Sequence, residues 1–165
     1  MSIFPTRILL ATDGSEEADL AALRAVELAQ KTDSELHVVH VGVLPTFLDS
    51  YPGTLGYSEK LYEQIQEQSR ERLRELSWRV KVAGGTVAGT HLRMGAVDLE
   101  VVALAKELQA DLIVMGCRGH RGIRRAIDGS VSDGVIRHAP CPVLVVRSHE
   151  SAEAFERPAL LQGGG

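Results

Sequence analysis

The chain has 165 residues, of which 44% are hydrophobic and 24% charged, and its formal net charge is −4. This length supports one compact domain with a sizeable core, and the composition is ordinary for a soluble protein. The acidic balance argues against general binding to nucleic acid or to a membrane surface. No apolar run approaches the roughly 20 residues that span a bilayer, and residues 1–5 lack the apolar core of a secretory signal. We therefore expect a cytoplasmic protein.

Short, almost wholly apolar runs alternate with longer segments whose apolar residues recur every three or four positions. The first pattern is typical of buried parallel strands and the second of amphipathic helices. We expect strands at 7–12, 36–41, 86–92, 111–115 and 143–146, and helices at 16–31, 58–82, 97–109 and 130–138. This alternation predicts an α/β fold with a parallel sheet, helices on both faces and right-handed crossovers.

The first helix has a recognisable start. Ser15 is a helix-capping residue, and Glu16 and Glu17 follow in the first turn, where the helix dipole favours acids. Mostly small side chains form the stripe that we expect to pack closely on the sheet, namely Ala18, Ala22, Val26 and Ala29, with Leu23 beside them.

A long, partly apolar segment, Gly42–Tyr57, follows the second strand at its carboxyl end. Loops of this length are uncommon, and they often act as lids or contact surfaces. A flexible insertion without a role explains the same residues equally well, and the sequence does not separate the two interpretations.

The histidines and cysteines give no metal or redox signature. His37 and His40 lie three positions apart on the second strand, so their side chains point to opposite faces. This favours one histidine near a strand edge and one satisfied by packing or hydrogen bonds, rather than a metal-binding pair. Cys117 and Cys141 form neither a disulfide framework nor a metal pattern. No base is identifiable beside Cys117, which favours an unreactive residue in a turn.

Two glycine clusters follow the fourth strand. Gly116-Cys117-Arg118-Gly119 comes first, and after nine further residues Gly129-Ser130-Val131-Ser132 precedes the short helix. Glycine lets the backbone approach a ligand closely, and a helix start offers free backbone N–H groups to an anion. Arginines and a histidine, without an acid, occupy the first part of the intervening loop. The pattern predicts a phosphate cradle, and the alternative is a solvated basic loop whose glycines serve only turns.

Asp13 and Gly116 each follow a strand at the carboxyl rim of the predicted sheet. In such sheets ligands bind at the carboxyl ends of the strands, where the strand order reverses. The two residues come together if the first and fourth strands are neighbours.

Three segments together resemble the universal stress protein family: residues 7–15, the Gly116-x2-Gly119-x9-Gly129-Ser130 signature, and residues 141–146. The resemblance covers roughly residues 5–147. It implies a Rossmann-like five-stranded parallel sheet of order 3-2-1-4-5, formed by a single domain over residues 1–147. It also points to the branch of the family that binds ATP, usually with a divalent cation, so Mg²⁺ is expected with the nucleotide.

The resemblance assigns roles by position. Asp13 would lie at the base and ribose end of the nucleotide, and Met115 would help to wall the nucleoside. The adenine pocket would be lined by Ala11, Thr12 and Val41. The phosphate-binding set would be Gly116, Gly119, Gly129 and Ser130, with Arg118, His120, Val131 and Ser132 as neighbours.

The resemblance also concerns assembly. Family dimers often pair through the last strand, and an apolar edge strand would otherwise be exposed. We therefore expect a homodimer through Val143–Val146. Residues 148–165 have little to anchor them and are expected to form a flexible tail.

Three functions are compatible with these features. The first is an ATP-binding regulatory protein of the stress response, in which nucleotide occupancy alters conformation or partner binding. The second is a slow ATP hydrolase or an ATP-dependent transferase, although the glycine loop offers no carboxylate before Asp128 for phosphoryl transfer. The third is a dimerisation module without nucleotide, against which the intact glycine signature counts. No catalytic residue and no metal ligand is assigned.

Overall fold

The computed structural model describes residues 5–44, 55–117 and 131–147. Within these residues, five strands and four helices alternate along the sequence. The strands are β1 (Arg7–Ala11), β2 (Glu35–Gly42), β3 (Val87–Met94), β4 (Leu112–Gly116) and β5 (Val143–Val146), and the helices are α1 (Glu16–Thr32), α2 (Leu55–Val82), α3 (Val97–Leu108) and α4 (Val131–His138).

The strands form one parallel sheet in the order β3-β2-β1-β4-β5. Helices α1 and α2 pack on one face, and helices α3 and α4 pack on the other. This is a Rossmann-like α/β fold, and the expected strand order and the helices on both faces are confirmed.

Two apolar layers hold the sheet between its helices, because successive strand residues point to opposite faces. Ile8 and Leu10 face the layer formed with α1 and α2, whereas Leu9 faces the layer formed with α3 and α4. All three side chains are fully buried. Since β1 lies in the middle of the sheet, its residues contribute to both layers.

Asp111 joins the amino ends of β1 and β4. Its Oδ2 atom accepts hydrogen bonds from Thr6 Oγ1 at 2.6 Å, Thr6 N at 3.0 Å and Arg7 N at 3.1 Å. The bonds from Thr6 lower the pKa of the Asp111 carboxyl group. This contact helps to set the alignment of the two strands, which in turn positions their carboxyl ends.

Helix α1 begins as expected, because Ser15 Oγ accepts a hydrogen bond from Ala18 N at 3.2 Å. The predicted position of Leu23 beside the buried stripe is wrong, since its side chain is 54% exposed. Ala21 and Ala25 are fully buried instead. At 3.6 residues per turn, Leu23 lies about 200° around the helix from each of these alanines.

Helix α2 begins at Leu55, three residues before the predicted start, so the last part of the predicted loop Gly42–Tyr57 is helical. The rest of that loop, residues 45–54, and the predicted tail, residues 148–165, lie outside the described residues. None of the helices in the described part of the chain is long and apolar enough to cross a membrane.

Candidate functional site

The carboxyl ends of β1 and β4 lie side by side at the point where the strand order reverses. Ala11 is the register partner of Met115 on β4 and of Val39 on β2. The chain leaves β1 for β2 on one side, and β4 occupies the other side. The condition for bringing Asp13 and Gly116 together is therefore met. A crevice at such a switch point is the usual ligand site of parallel α/β sheets.

Three of the residues expected to wall a nucleoside lie in the same apolar layer. Val41 and Met115 are 8% and 6% exposed, and Ala11 packs against the same cluster. Val135 of α4 also belongs to it. Ala11, Val41 and Met115 come from β1, β2 and β4, and they form an apolar wall on the α3 and α4 side of the switch point.

Asp13 begins the turn that connects β1 to α1. Its Oδ1 atom accepts a hydrogen bond from Ser15 N at 2.9 Å, and Gly14 has a φ of +80°. The bond holds the Asp13 carboxylate at the amino end of α1, where the helix dipole stabilises negative charge.

Thr12 is held on both sides of its backbone. Its N–H donates to Val39 O at 3.1 Å, and its carbonyl oxygen lies 3.0 Å from His40 Nδ1. Because a carbonyl can only accept, His40 must carry a proton on Nδ1. One of the two strand histidines is thus satisfied by a hydrogen bond, as expected, and it fixes the end of β1.

His37, on the other face, lies close to a histidine of the edge strand. Its Nδ1 atom is 3.1 Å from His91 Nε2, and the missing side chain of Gly89 leaves room for both rings. Burial lowers the pKa of His91, and the nearby His37 and Arg93 lower it further, whereas Glu107 opposes the shift.

Arg72 reaches the β1 turn from α2, a contact that the sequence pattern did not reveal. Its Nη2 atom lies 3.5 Å from Asp13 O, and its Nη1 atom lies 3.4 Å from Glu75 Oε2. A Cβ atom on Gly14 would stand only 2.8 Å from Nη2. The missing side chain of Gly14 therefore makes room for a cation beside Asp13.

Gly116 is required by packing as well as by any ligand. A Cβ atom at this position would lie 2.8 Å from the backbone carbon of Glu17 and 2.9 Å from the nitrogen of Ala18. Glycine thus lets the first turn of α1 rest directly on the end of β4. Gly116 was expected to admit a ligand or to serve a turn, and this packing role was not predicted.

The start of α4 lies in the same layer as the apolar wall. Val131 is 42% exposed and Ser132 is 8% exposed. A side chain on Gly134 would overlap the carboxylate of Asp98, so this glycine allows α4 to approach α3 rather than merely weakening its helix.

The other predicted phosphate-binding residues fall in the segment 118–130, outside the described residues, namely Arg118, Gly119, His120, Gly129 and Ser130. Among the residues that are described, no group of three or more histidine, cysteine, aspartate or glutamate side chains is placed to hold a metal ion.

The strand order β3-β2-β1-β4-β5 with helices on both faces defines a Rossmann-like α/β protein whose switch point lies between β1 and β4. The universal stress protein family model matches residues 5–147, and the chain belongs to this family. A universal stress protein of Staphylococcus haemolyticus is 38% identical over 152 residues, which cover 90% of this chain and 88% of the relative. A relative from Staphylococcus aureus is 37% identical over 152 residues, which again cover 90% of this chain and 88% of the relative.

Solved structures of the family have the same fold. UspA from Lactobacillus plantarum matches 88% of this chain and 100% of its own, with 26% identity and a TM-score of 0.74. A universal stress protein in complex with cAMP matches 86% of this chain and 97% of its own, with 26% identity and a TM-score of 0.66. The Archaeoglobus fulgidus protein in complex with dAMP matches 88% and 99%, with 25% identity and a TM-score of 0.57.

Proposed function

We propose that this protein binds ATP and acts as a nucleotide-dependent regulator in the stress response. The observation that carries the proposal is the apolar wall of Ala11, Val41 and Met115 next to Asp13 at the switch point between β1 and β4. Relatives were solved with cAMP and with dAMP, and both ligands contain adenine. They support an adenine nucleotide as the ligand class, and ATP is our more specific choice.

The nucleoside and the phosphates of the nucleotide would contact different kinds of groups. The apolar wall suits the face of an adenine ring, and the Asp13 carboxylate would accept hydrogen bonds from ribose hydroxyls. Thr12 would line the same pocket with its backbone held in place. Phosphates suit glycine backbone and helix-start N–H groups, and the residues proposed for them are Gly116, Arg118, Gly119, His120, Gly129, Ser130, Val131 and Ser132.

Mg²⁺ would arrive with the phosphates rather than occupy a site of its own. Mg²⁺ commonly keeps several waters and binds through substrate phosphates with one or two carboxylates. The lack of a ligand cluster among the described residues fits this mode, in which the ion neutralises phosphate charge. We assign no residue of this chain as a ligand to it.

We further propose that the protein is a homodimer that pairs through Val143–Val146. Strand β5 is an outer strand of the described sheet, and Leu144 on it is 37% exposed. Nearby on the sequence, Ile136 of α4 is 54% exposed. A second copy would cover an apolar edge that otherwise invites uncontrolled pairing. We place the protein in the cytoplasm, where its two unpaired thiols would stay reduced.

The experiment begins with the purified protein. Any nucleotide released on denaturation is identified, and the emptied, refolded protein is titrated calorimetrically with ATP, dAMP and cAMP, each with and without Mg²⁺. We expect ATP to bind most tightly, with a gain from Mg²⁺. Tighter binding of a monophosphate would support the proposed adenine pocket and would contradict the proposal that ATP is its ligand. If the folded protein binds none of the three nucleotides, the proposal of an adenine pocket is wrong.

A further inference from the structure

A concave surface lies beside α2. A groove of about 380 Å³ opens between α2 and the edge strand β3. We call it the α2–β3 groove, and its main lining residues are Arg70, Leu73, Arg74, Trp78, Lys81 and Thr90. None of these residues belongs to the proposed nucleotide site.

The α2 side of the groove combines cations with an exposed indole. Arg70, Arg74, Trp78 and Lys81 follow one another at spacings of four, four and three, which places them on one helix face. Trp78 is 66% exposed. A large aromatic side chain so exposed, rimmed by charged residues, is typical of a contact surface.

The positive charge of this face is only partly neutralised. Arg70 Nη1 lies 3.7 Å from Glu67 Oε2, which is a long ion pair between exposed groups. Within the residues that the structure describes, Arg74 and Lys81 form no ion pair, and the neighbouring Glu75 pairs with Arg72 and Arg79 instead. The groove is thus a basic patch on a chain whose net charge is −4, and a local patch of this kind attracts negative charge.

The β3 side of the groove offers a free sheet edge. In the described sheet β3 has only β2 as a strand partner. Ala88 and Thr90 on β3 are exposed, and their small side chains leave the edge accessible beside α2. Extended peptides recognise such edges by adding a strand, with backbone hydrogen bonds for affinity and alternate side chains for specificity.

We infer that the α2–β3 groove binds an extended acidic segment of a partner protein. Carboxylates of the segment would pair with Arg74, Lys81 and Arg70, its backbone would lie along the edge of β3, and an apolar side chain would cover Trp78. Three cations neutralise few phosphates, whereas a nucleic-acid-binding protein with strongly salt-dependent affinity makes about 6–10 phosphate contacts. Three cations are also fewer than the 4–8 basic residues typical of sites for anionic membranes.

Binding at this surface can be followed by intrinsic fluorescence, because Trp78 is the single tryptophan of the chain. The probe is a fluorescein-labelled decapeptide of alternating glutamate and valine, and the matched neutral probe replaces glutamate with glutamine. With the full-length protein we expect a shift of the Trp78 emission on addition of unlabelled acidic peptide, and saturable anisotropy of the labelled one. The glutamine peptide should bind at least about tenfold more weakly.

Charge-reversal variants test whether the acidic peptide binds in the α2–β3 groove. The double variant Arg74→Glu, Lys81→Glu should weaken the acidic peptide at least about tenfold. The control variant Lys60→Glu, Lys106→Glu changes the net charge equally, at exposed positions outside the groove, and should stay within about twofold. Circular dichroism and urea unfolding show that both variants are folded.

Three results would overturn the inference. The first is the absence of binding at millimolar peptide, and the second is an equal loss in the two double variants. The third is tighter binding of a thymidine decamer through Arg74 and Lys81, which would assign the groove to single-stranded nucleic acid. The nucleotide pocket enters none of these measurements, so the two proposals succeed or fail separately.

Discussion

The guanidinium of Arg72 lies against Gly14, in the space where any other residue would carry its side chain. Arg72 belongs to α2 and Gly14 to the turn after β1, so two elements far apart in sequence meet beside Asp13. The contact brings a positive charge to the edge of the candidate nucleotide site.

Replacing Gly14 with alanine should therefore have two effects. The φ of +80° makes a side chain unfavourable, which costs about 1–2 kcal/mol of folding free energy. The added Cβ also displaces Arg72, so we expect ATP affinity to fall several-fold. Urea unfolding and calorimetry measure the two effects. The control is Gly84→Ala, where φ is +92° but only Gln30 Nε2 is near, at 3.3 Å. It should lose stability and keep its ATP affinity, and an equal loss of affinity in both variants would remove Arg72 from the site.

Replacing Gly116 with alanine should destabilise the fold by about 1–3 kcal/mol, the usual cost of overpacking. The new Cβ would meet the backbone of Glu17 and Ala18, and the first turn of a helix cannot rotate away as a side chain can. Urea unfolding provides the measurement. Gly89→Ala is the comparison, because its Cβ would meet the imidazole rings of His37 and His91, which can turn. We expect a smaller cost there, and the reverse order would contradict the packing role of Gly116.

Replacing Asp13 with alanine should weaken ATP more than inorganic triphosphate, because Asp13 is proposed to contact the ribose. The same variant loses the hydrogen bond to Ser15 N, which contributes about 1 kcal/mol to stability. Asp13→Asn keeps an acceptor for Ser15 and removes the charge, so it separates the turn from the ligand contact. Competition calorimetry with both ligands provides the test, and equal losses for ATP and triphosphate would place Asp13 at the phosphate end.

His91 should make stability depend on pH. The pKa of His91 is lowered in the folded state, so the unfolded chain binds a proton more readily. Stability is then unaffected by this group well above its ordinary pKa of about 6.5. It falls as the pH drops from there through the lowered folded-state pKa, and the loss is complete below that value. Urea unfolding between pH 8 and 5 should show this fall.

His91→Gln should flatten that dependence. His138→Gln, at an exposed residue of α4 whose Nδ1 lies 2.9 Å from Gly134 O, is the matched control and should leave the contribution of His91 in place. A wild-type profile that His91→Gln does not change would show that His91 has no part in the pH response.

Replacing Leu144 with lysine should dissociate the proposed dimer. A charge on the apolar outer strand opposes its pairing with a second copy, and β5 keeps its contacts with β4. Sedimentation velocity at several protein concentrations measures the change, with Leu23→Lys as a control at a leucine of α1 that is also exposed. If wild type sediments as a monomer throughout, the proposed interface is wrong.

Hydrophobic patterning was sufficient to locate the strands, because buried parallel strands are short apolar runs. The resemblance to the family supplied the order of the strands, which local pattern does not encode. The start of α2 was misplaced because Leu55, Gly56 and Tyr57 lie just after a proline and a glycine, and glycine disfavours helix. The tertiary context outweighs that preference.

The site was predictable only where its residues adjoin strand ends. Asp13 and Gly116 stood out in this way, and the neighbouring strands brought them together. The contact of Arg72 with Asp13 could not be predicted from the local sequence, because the two residues lie 59 positions apart. The residue pattern of α2 around Arg72 is also that of any solvated helix. The groove was missed for the same reason, since its basic face becomes visible only when β3 lies beside α2.

The central position of β1 has a consequence for motion. Ile8, Leu9 and Leu10 are fully buried between two neighbouring strands, so their amide protons should be among the slowest in the molecule to exchange with solvent. The outer strands β3 and β5, with one neighbour each in the described sheet, should exchange sooner. The pocket would then rest on the part of the protein that opens last, while the two proposed protein-binding edges lie where the sheet opens first. On the two proposals together, partners would bind and leave at the edges without disturbing a nucleotide in the proposed central pocket.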